Sequence, residues 1–204
     1  FDRDARDAFA TLVEGGYVHA LLAGNALAVH DIEATLFATG LGQEIYSKRT
    51  VELGHYNHLD AITKIRTIGS IQRAIDEGII HDGVMRAVIR KKVPYVLAGS
   101  IRDDGPLPEV IGDVYEAQDR MRDLTRNATT VIALATQLHA IATGNMVPSY
   151  KVEEGNTVRP VYFYTVDMSE FAINKLANRG SLSARSVLTN VQDFVVTVER
   201  GLRK

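Results

Sequence analysis

The run LLAGNALAVHD, ending at Asp31, joins an apolar stretch to a Gly-Asn turn and a helix-like segment. First-turn amides of a helix lack an intrahelical acceptor, so such a turn can aim backbone N–H groups, with the Asn25 amide and the Ala26 backbone, at a phosphate or nicotinamide. The plainer reading of Asn25 is a helix N-cap. ATQLHAIATGN (Ala135 to Asn145) is a second strand-to-helix turn, with Thr136 and Gln137 as phosphate or ribose donors and His139 in the first helical turn. A core histidine satisfied by one hydrogen bond is the plainer reading of His139. VYFYTVD ends at Asp167 before another helix; a carboxylate there can accept from ribose hydroxyls and repels a 2′-phosphate, which favours NAD over NADP. Capping of that helix is the alternative. RDDGPLP carries Arg102, Asp103 and Asp104. Paired carboxylates beside an arginine can hold a cationic amine or serve as a general base, whereas Asp-Gly-Pro as a turn needs only one aspartate. His55 and His58 are three apart, a spacing that can ligate a metal, yet no carboxylate or cysteine cluster stands nearby in the sequence and no metal is expected. His19 and His30 flank the Gly-Asn turn, either of them a candidate or a buried, hydrogen-bonded side chain.

These residues need elements to hold them, and helical and strand patterns alternate along the chain. Apolar spacing predicts a helix over Asp4 to Val13, stopped by Gly15-Gly16, then a strand over Tyr17 to Gly24 and a helix capped by Asn25 and running through Phe37. Two short helices follow, broken near Gly69-Ser70 and ended by Gly78, and GVMRAVIRKK is a further helix with a basic last turn. Val93 to Gly99 reads as a strand, Glu109 to Leu124 as a helix, Thr129 to Thr136 as a strand and Gln137 to Gly144 as a helix. Val161 to Asp167 is a strand, the next helix closes at Gly180, SARSVL is a strand and Val191 to Leu202 the last helix. This order predicts an α/β fold with a mostly parallel sheet and helices on both faces. Tyr150 to Pro160 is the one linker-like stretch, expected as a surface insertion in a single domain over residues 1–204. Asn25, Asp104, Thr136 and Asp167 all fall at strand ends, where an α/β sheet gathers a ligand, and Thr189-Asn190-Val191 supplies a fifth. The Rossmann fingerprint GxGxxG is absent.

Composition narrows the function classes. A net charge of -2 with 24% charged residues argues against a nucleic-acid binder, and the absence of cysteine removes disulfides, thiolate metal sites and cysteine nucleophiles. No apolar stretch reaches the roughly 18 to 20 residues that cross a bilayer, and FDRDARDAF is too charged for a signal peptide, so a cytoplasmic protein without membrane partners is expected. The start at Phe1 is expected of a fragment or of one processed part of something longer.

Four segments, GGYVHALLAGNALAVHDIEATLF, VPYVLAGSIRDDGPLPEVI, ATQLHAIATGNMVPS and VDMSEFAINKLANRGS, together strongly resemble the archaeal-type ornithine cyclodeaminase family, once labelled the LOR/SDH conserved region. The same module forms the C-terminal half of cyanobacterial arginine dihydrolase/ornithine cyclodeaminase proteins. The resemblance implies a Rossmann-related, deoxyhypusine-synthase-like NAD-binding fold that converts L-ornithine into L-proline and ammonia with bound NAD, and it implies a homo-oligomer. By motif it places Asn25, Ala26, Asp104, Thr136, Gln137, Leu138, His139, Asp167, Asn190 and Val191 against NAD. It implies a cycle in which hydride leaves the carbon bearing the α-amine and later returns, which needs a base and a carboxylate for the ammonium; Asp104, Asp103 and His30 are the candidates. Two departures stand out: the family usually has Asp at the position of Asn190, and the Tyr150 to Pro160 insertion lengthens the approach to Asp167. Full-length family chains carry a further N-terminal region, so this region or a companion chain is an expected partner. Two other readings compete: a different NAD-dependent enzyme on an amino acid or polyamine, and a non-catalytic NAD-binding module that needs the missing region.

Overall fold

The computed structural model describes residues 2–176 and 183–203. The chain divides into two compact units, residues 1–117 with 198–204, and residues 118–197.

In the first unit, α1 (Arg3–Glu14) begins where Asp2 accepts the Ala5 N–H at 3.1 Å and ends at Gly15-Gly16, as its spacing predicts. There follow β1 (Leu21–Gly24), α2 (Asn25–Phe37), β2 (Thr39–Gly40), β3 (Gln43–Glu44), α3 (His55–Ile68), α4 (Ile71–Asp76), α5 (Val84–Arg90), β4 (Tyr95–Ala98) and β5 (Val110–Ile111). Strands β1, β4 and β5 make a parallel sheet in that order, with Leu21 opposite Tyr95 and Gly24 opposite Ala98. Ile32 of α2, Ile65 of α3, Ile71 of α4, Met85 of α5 and Leu97 of β4 share one core. Each such side chain contributes about 1.5–3 kcal/mol when fully buried, so these helices are held by packing more than by propensity.

One polar knot crosses that core. Arg6 donates from Nε to Asp31 Oδ1 at 2.7 Å and from Nη2 to Asp82 Oδ1 at 2.6 Å. Asp31 also accepts the Val84 and Met85 N–H groups at 3.0 and 2.7 Å, which ties the start of α5 to α2. Burial pushes the Asp31 carboxyl up against the opposing pull of Arg6 and these amides; burial likewise disfavours the Arg6 charge, and the two aspartates more than restore it. Arg6 does not deprotonate in proteins, and Asp31 accepts three N–H donors as a carboxylate, so the pair is ionised. Gly83 lies between them at φ +94°, where a Cβ would come within 2.1 Å of Arg6 Nη2.

The second unit has its own order: α6 (Val114–Thr125), which begins in the first unit, β6 (Thr130–Leu134), α7 (Gln137–Met146), β7 (Tyr150–Val152), β8 (Val158–Pro160), β9 (Tyr162–Asp167), α8 (Glu170–Leu176), β10 (Ser183–Leu188) and α9 (Val191–Leu202), which returns to the first unit. Its sheet is β10-β9-β6, wholly parallel, with Phe163, Val161, Ala133, Ala140 and Val147 as the core.

The α/β class and the parallel pairing are as the sequence predicts, with the parallel strands in two three-stranded sheets. Several boundaries differ. The strand expected from Tyr17 begins only at Leu21, and the helix expected from Glu109 begins at Val114, after strand β5. There Asp113 Oδ1 accepts the Tyr115 and Glu116 N–H groups, both at 2.9 Å. The linker-like stretch is a β-hairpin, β7 paired antiparallel with β8, turning through Gly155 and Asn156 at positive φ. Gly180, the expected end of α8, lies outside the described residues. Among the described residues no helix is long and apolar enough to cross a membrane.

Candidate functional site

Each unit gathers predicted residues at the carboxyl edge of its own parallel sheet. In the second unit Leu134 pairs with Val166, Ala135 donates its N–H to Val166 O at 3.0 Å, and Thr189 donates to Asp167 O at 3.1 Å. Thr136, Asp167 and Asn190 therefore stand at three adjacent strand ends. Ala135 is bent to φ 47°, so the chain turns directly from β6 into α7. That helix has Thr136 at its N-cap with no side-chain cap bond and no acidic residue in its first turn. Its leading amides are thus uncapped from within their own turn, a donor set that fits the phosphates of a dinucleotide. Gln137 and Leu138 are exposed there, and burial pushes the half-buried His139 imidazole down, towards its neutral form.

Asp167 Oδ1 accepts the Ser169 N–H at 2.7 Å, so it caps the turn into α8, and Asn190 Oδ1 accepts the Gln192 N–H at 2.8 Å beside the half-buried Val191. Both therefore hold the turn that follows their strand. Capping and ligand contact are compatible, since a carboxylate has about four acceptor positions and the cap uses one.

The first unit corrects the expected role of Asn25. Gly24 is the N-cap of α2, and Asn25, 2% exposed, is the first helical residue. Its amide turns to the loop after β4, donating to Gly105 O at 3.2 Å and accepting the Leu107 N–H at 3.0 Å. Asn25 and the loop bearing Asp103 and Asp104 are thereby brought together, with Ala26 exposed in the first turn of a helix that has no side-chain cap. Asp103 accepts the Ser100 N–H at 2.8 Å and so shapes that loop, while Asp104 is exposed.

Asp104 is also one end of a cluster that the sequence conceals. His58 Nε2 stands 3.5 Å from Asp104 Oδ2, and His58 Nδ1 stands 3.4 Å from Glu33 Oε2. His30 Nδ1 is 3.2 Å from the same Glu33 oxygen, and the two imidazole rings lie 4.9 Å apart. Glu33 has no exposed side-chain surface. Thr39 donates its hydroxyl to Glu33 Oε1 at 2.8 Å, and the Leu41 and Gly42 N–H groups point at the carboxylate at 3.2 and 3.4 Å. Leu41 and Gly42 join β2 to β3, both at positive φ, the pattern of a two-residue type I′ hairpin turn. Burial alone would raise the Glu33 carboxyl, but the bonds from His30, Thr39, Leu41 and Gly42 more than reverse this and hold it at about 2.

His30, Glu33 and His58 offer atoms within 4.8 Å of one another, a set that can surround a cation. Glu33 is already a fully used acceptor, which makes hydrogen bonding the simpler account. Glu33 is the missed residue, and His58, paired in the sequence with His55, instead faces Glu33 and Asp104. The carboxylate found absent beside His58 in the sequence stands 25 residues away, on α2. Leu in the first turn position, where Asn or Asp usually signals a type I′ turn, left no cue to the hairpin.

The geometry thus defines an α/β domain of the Rossmann type with polar residues at the carboxyl edges of its parallel strands. The family model for the C-terminal Rossmann fold of ArgZ-like arginine dihydrolases matches residues 2–198, and the chain belongs to that family. The ornithine cyclodeaminase of Archaeoglobus fulgidus is 48% identical over 191 residues, covering 94% of this chain and 44% of that protein. A solved protein described as LOR/SDH, from Methanococcus maripaludis S2, superposes with a TM-score of 0.90 at 42% identity, covering 97% of this chain and 57% of that one. A ternary complex of AgrE with ornithine and NAD+ superposes at 0.85 and 38% identity, covering 98% of this chain and 28% of that one. The chain spans less than half the length of the archaeal ornithine cyclodeaminases it matches.

Proposed function

We propose that this chain is the NAD-binding catalytic domain, over residues 1–204, of an ornithine cyclodeaminase that converts L-ornithine into L-proline and ammonia. The observation that carries the reading is the side-by-side placement of Thr136, Asp167 and Asn190 at the ends of β6, β9 and β10, in a family whose relatives include ornithine cyclodeaminases and an AgrE solved with ornithine and NAD+. NAD, when bound, accepts a hydride and gives it back, so the reaction has no net redox change.

The chain's own residues divide the remaining work. Thr136, Gln137, Leu138, His139, Asp167, Asn190 and Val191 hold the cofactor, with Asp167 selecting a free ribose 2′-hydroxyl. Asn25, Ala26 and Asp104 are further cofactor contacts; because the Asn25 amide is committed to the loop, its contact comes through backbone. Asp104 takes a proton from the substrate ammonium, Asp103 and its loop orient that cation, and His30 supports the acid–base pair through Glu33. A homo-oligomer in the cytoplasm, where NAD and amino acids are both available, suits this reading.

Native mass spectrometry of the full-length protein tests the cofactor first, with co-purified NAD as the expected result. Isotopically labelled ornithine then yields labelled proline and ammonia without net NADH; accumulation of NADH points instead to a dehydrogenase and rejects the assignment. A second reading is favoured by the short span relative to the archaeal relatives: a domain that binds NAD yet turns over only with an N-terminal region. Ammonia release by this chain alone rejects that reading.

A further inference from the structure

Glu33, His58 and Asp104 lie in a line, with one imidazole between two carboxylates. Glu33 is ionised and can only accept, so the two histidine Nδ1 atoms that face it carry protons, and the tautomer of His58 is fixed. Its other nitrogen, Nε2, is left as the proton-accepting atom, and that atom faces Asp104. The support behind Glu33 is built in layers: Asn57 of α3 donates to Thr39 Oγ1 at 3.1 Å, and Thr39 donates to Glu33. This is the arrangement of a base whose orientation is set by a buried anion. The charged and titratable groups facing His58 are Glu33 and His30 from α2 and Asp104 from the loop after β4; Arg66 of α3 approaches the same loop at Gly105.

We propose that Glu33, His58 and Asp104 form a proton relay, with Asp104 at its solvent end and Glu33 and His58 as positioning residues behind it. The proposal rests on the reading of Asp104 as the group that takes the substrate's proton. The Asp104 carboxylate accepts a proton from the α-ammonium and becomes a carboxylic acid. Asp104 then passes that proton to His58 Nε2, forming an imidazolium flanked by two carboxylates. On return the proton travels from His58 to Asp104 and on to the departing ammonia, so one proton is taken, one is given, and the protein ends as it began.

The test uses the full-length protein, with ammonia release measured against pH. Asp104→Asn is expected to cut kcat by about 10²–10⁴-fold, the range for a general acid–base group. His58→Ala is expected to lower kcat by at least about 10-fold with KM for ornithine within about 3-fold, to move the acid limb of the kcat profile, and to recover in part with added imidazole. Glu33→Gln should show the same kcat-selective loss without imidazole rescue. If Asp104→Asn keeps full turnover, the reading of Asp104 fails. If Asp104→Asn loses turnover while His58→Ala keeps both kcat and the pH profile, the relay alone fails. Histidine ¹⁵N spectra of the unmutated protein give a check independent of folding: the proton of neutral His58 must sit on Nδ1, and a spectrum placing it on Nε2 overturns the proposal. A stoichiometric metal lost in His58→Ala would overturn it equally.

Discussion

Asn25 Oδ1 accepts the Leu107 N–H at 3.0 Å across 82 residues of chain, so the first residue of α2 fixes the loop that carries Asp104. A side chain expected to cap its own helix instead buckles two strand ends together. Asn25→Ala leaves the buried Leu107 N–H without an acceptor, which costs roughly 1–3 kcal/mol. Denaturant melts should show that loss, and faster amide exchange at Leu107 should show that the loop has loosened; unchanged exchange there would contradict the role.

Arg6 gives the largest predicted stability effect. Arg6→Met strands the Asp31 carboxylate in the core and should destabilise by about 3–5 kcal/mol, the scale for breaking a buried pair. Removing both charges, as Arg6→Met with Asp31→Leu, should recover part of that only if the Val84 and Met85 amides find new acceptors. A double-mutant cycle from chemical unfolding measures the coupling, and an Arg6→Met cost below about 1 kcal/mol refutes the buried-pair account.

Glu33 sets an acid limb to stability. Its carboxyl sits at about 2 in the fold against an ordinary 4.5, so the unfolded chain takes up a proton first as the pH falls. The stabilisation is complete above about pH 4.5 and is lost on descent towards pH 2, roughly 3 kcal/mol in all at 1.36 kcal/mol per pH unit. Thermal melts across that window should show Glu33→Gln with a flatter acid limb than the parent protein. Parallel limbs would mean that Glu33 does not carry the effect.

Asp167 tests the cofactor assignment. Asp167→Ala should weaken NAD binding by about 1–3 kcal/mol, the scale for removing one partner of a buried polar contact. It also removes the cap on Ser169, so Asp167→Asn, which keeps an acceptor for that N–H, separates the two roles. Calorimetry that finds NAD affinity unchanged in both variants takes Asp167 out of the site.

The elements themselves were legible because their causes are local. Apolar periodicity gave α1 to within a residue at each end and the break between α3 and α4 at Gly69-Ser70, and the ends of β6 and β9 placed Thr136 and Asp167 beside each other once parallel pairing was inferred. Short strands without periodicity escaped notice: two-residue β2, β3 and β5 are stabilised by partners rather than by their own composition. Tyr150 to Pro160 looked like a linker because its polar residues and Gly155 describe a turn equally well.

The sequence by itself determined the class, the alternation of strand and helix, and the strand-end positions of Asn25, Asp104, Thr136, Asp167 and Asn190, since these follow from spacing and residue type along the chain. Only the tertiary structure decided what those side chains meet. Asn25 turning to Leu107, Glu33 holding His58, and His58 facing Asp104 join residues 25 to 82 positions apart. Such pairings depend on how α2, α3 and the loop after β4 pack, and the buried carboxylate of Glu33 is ionised because the hairpin after α2 folds back to bring Thr39, Leu41 and Gly42 onto it beside His30.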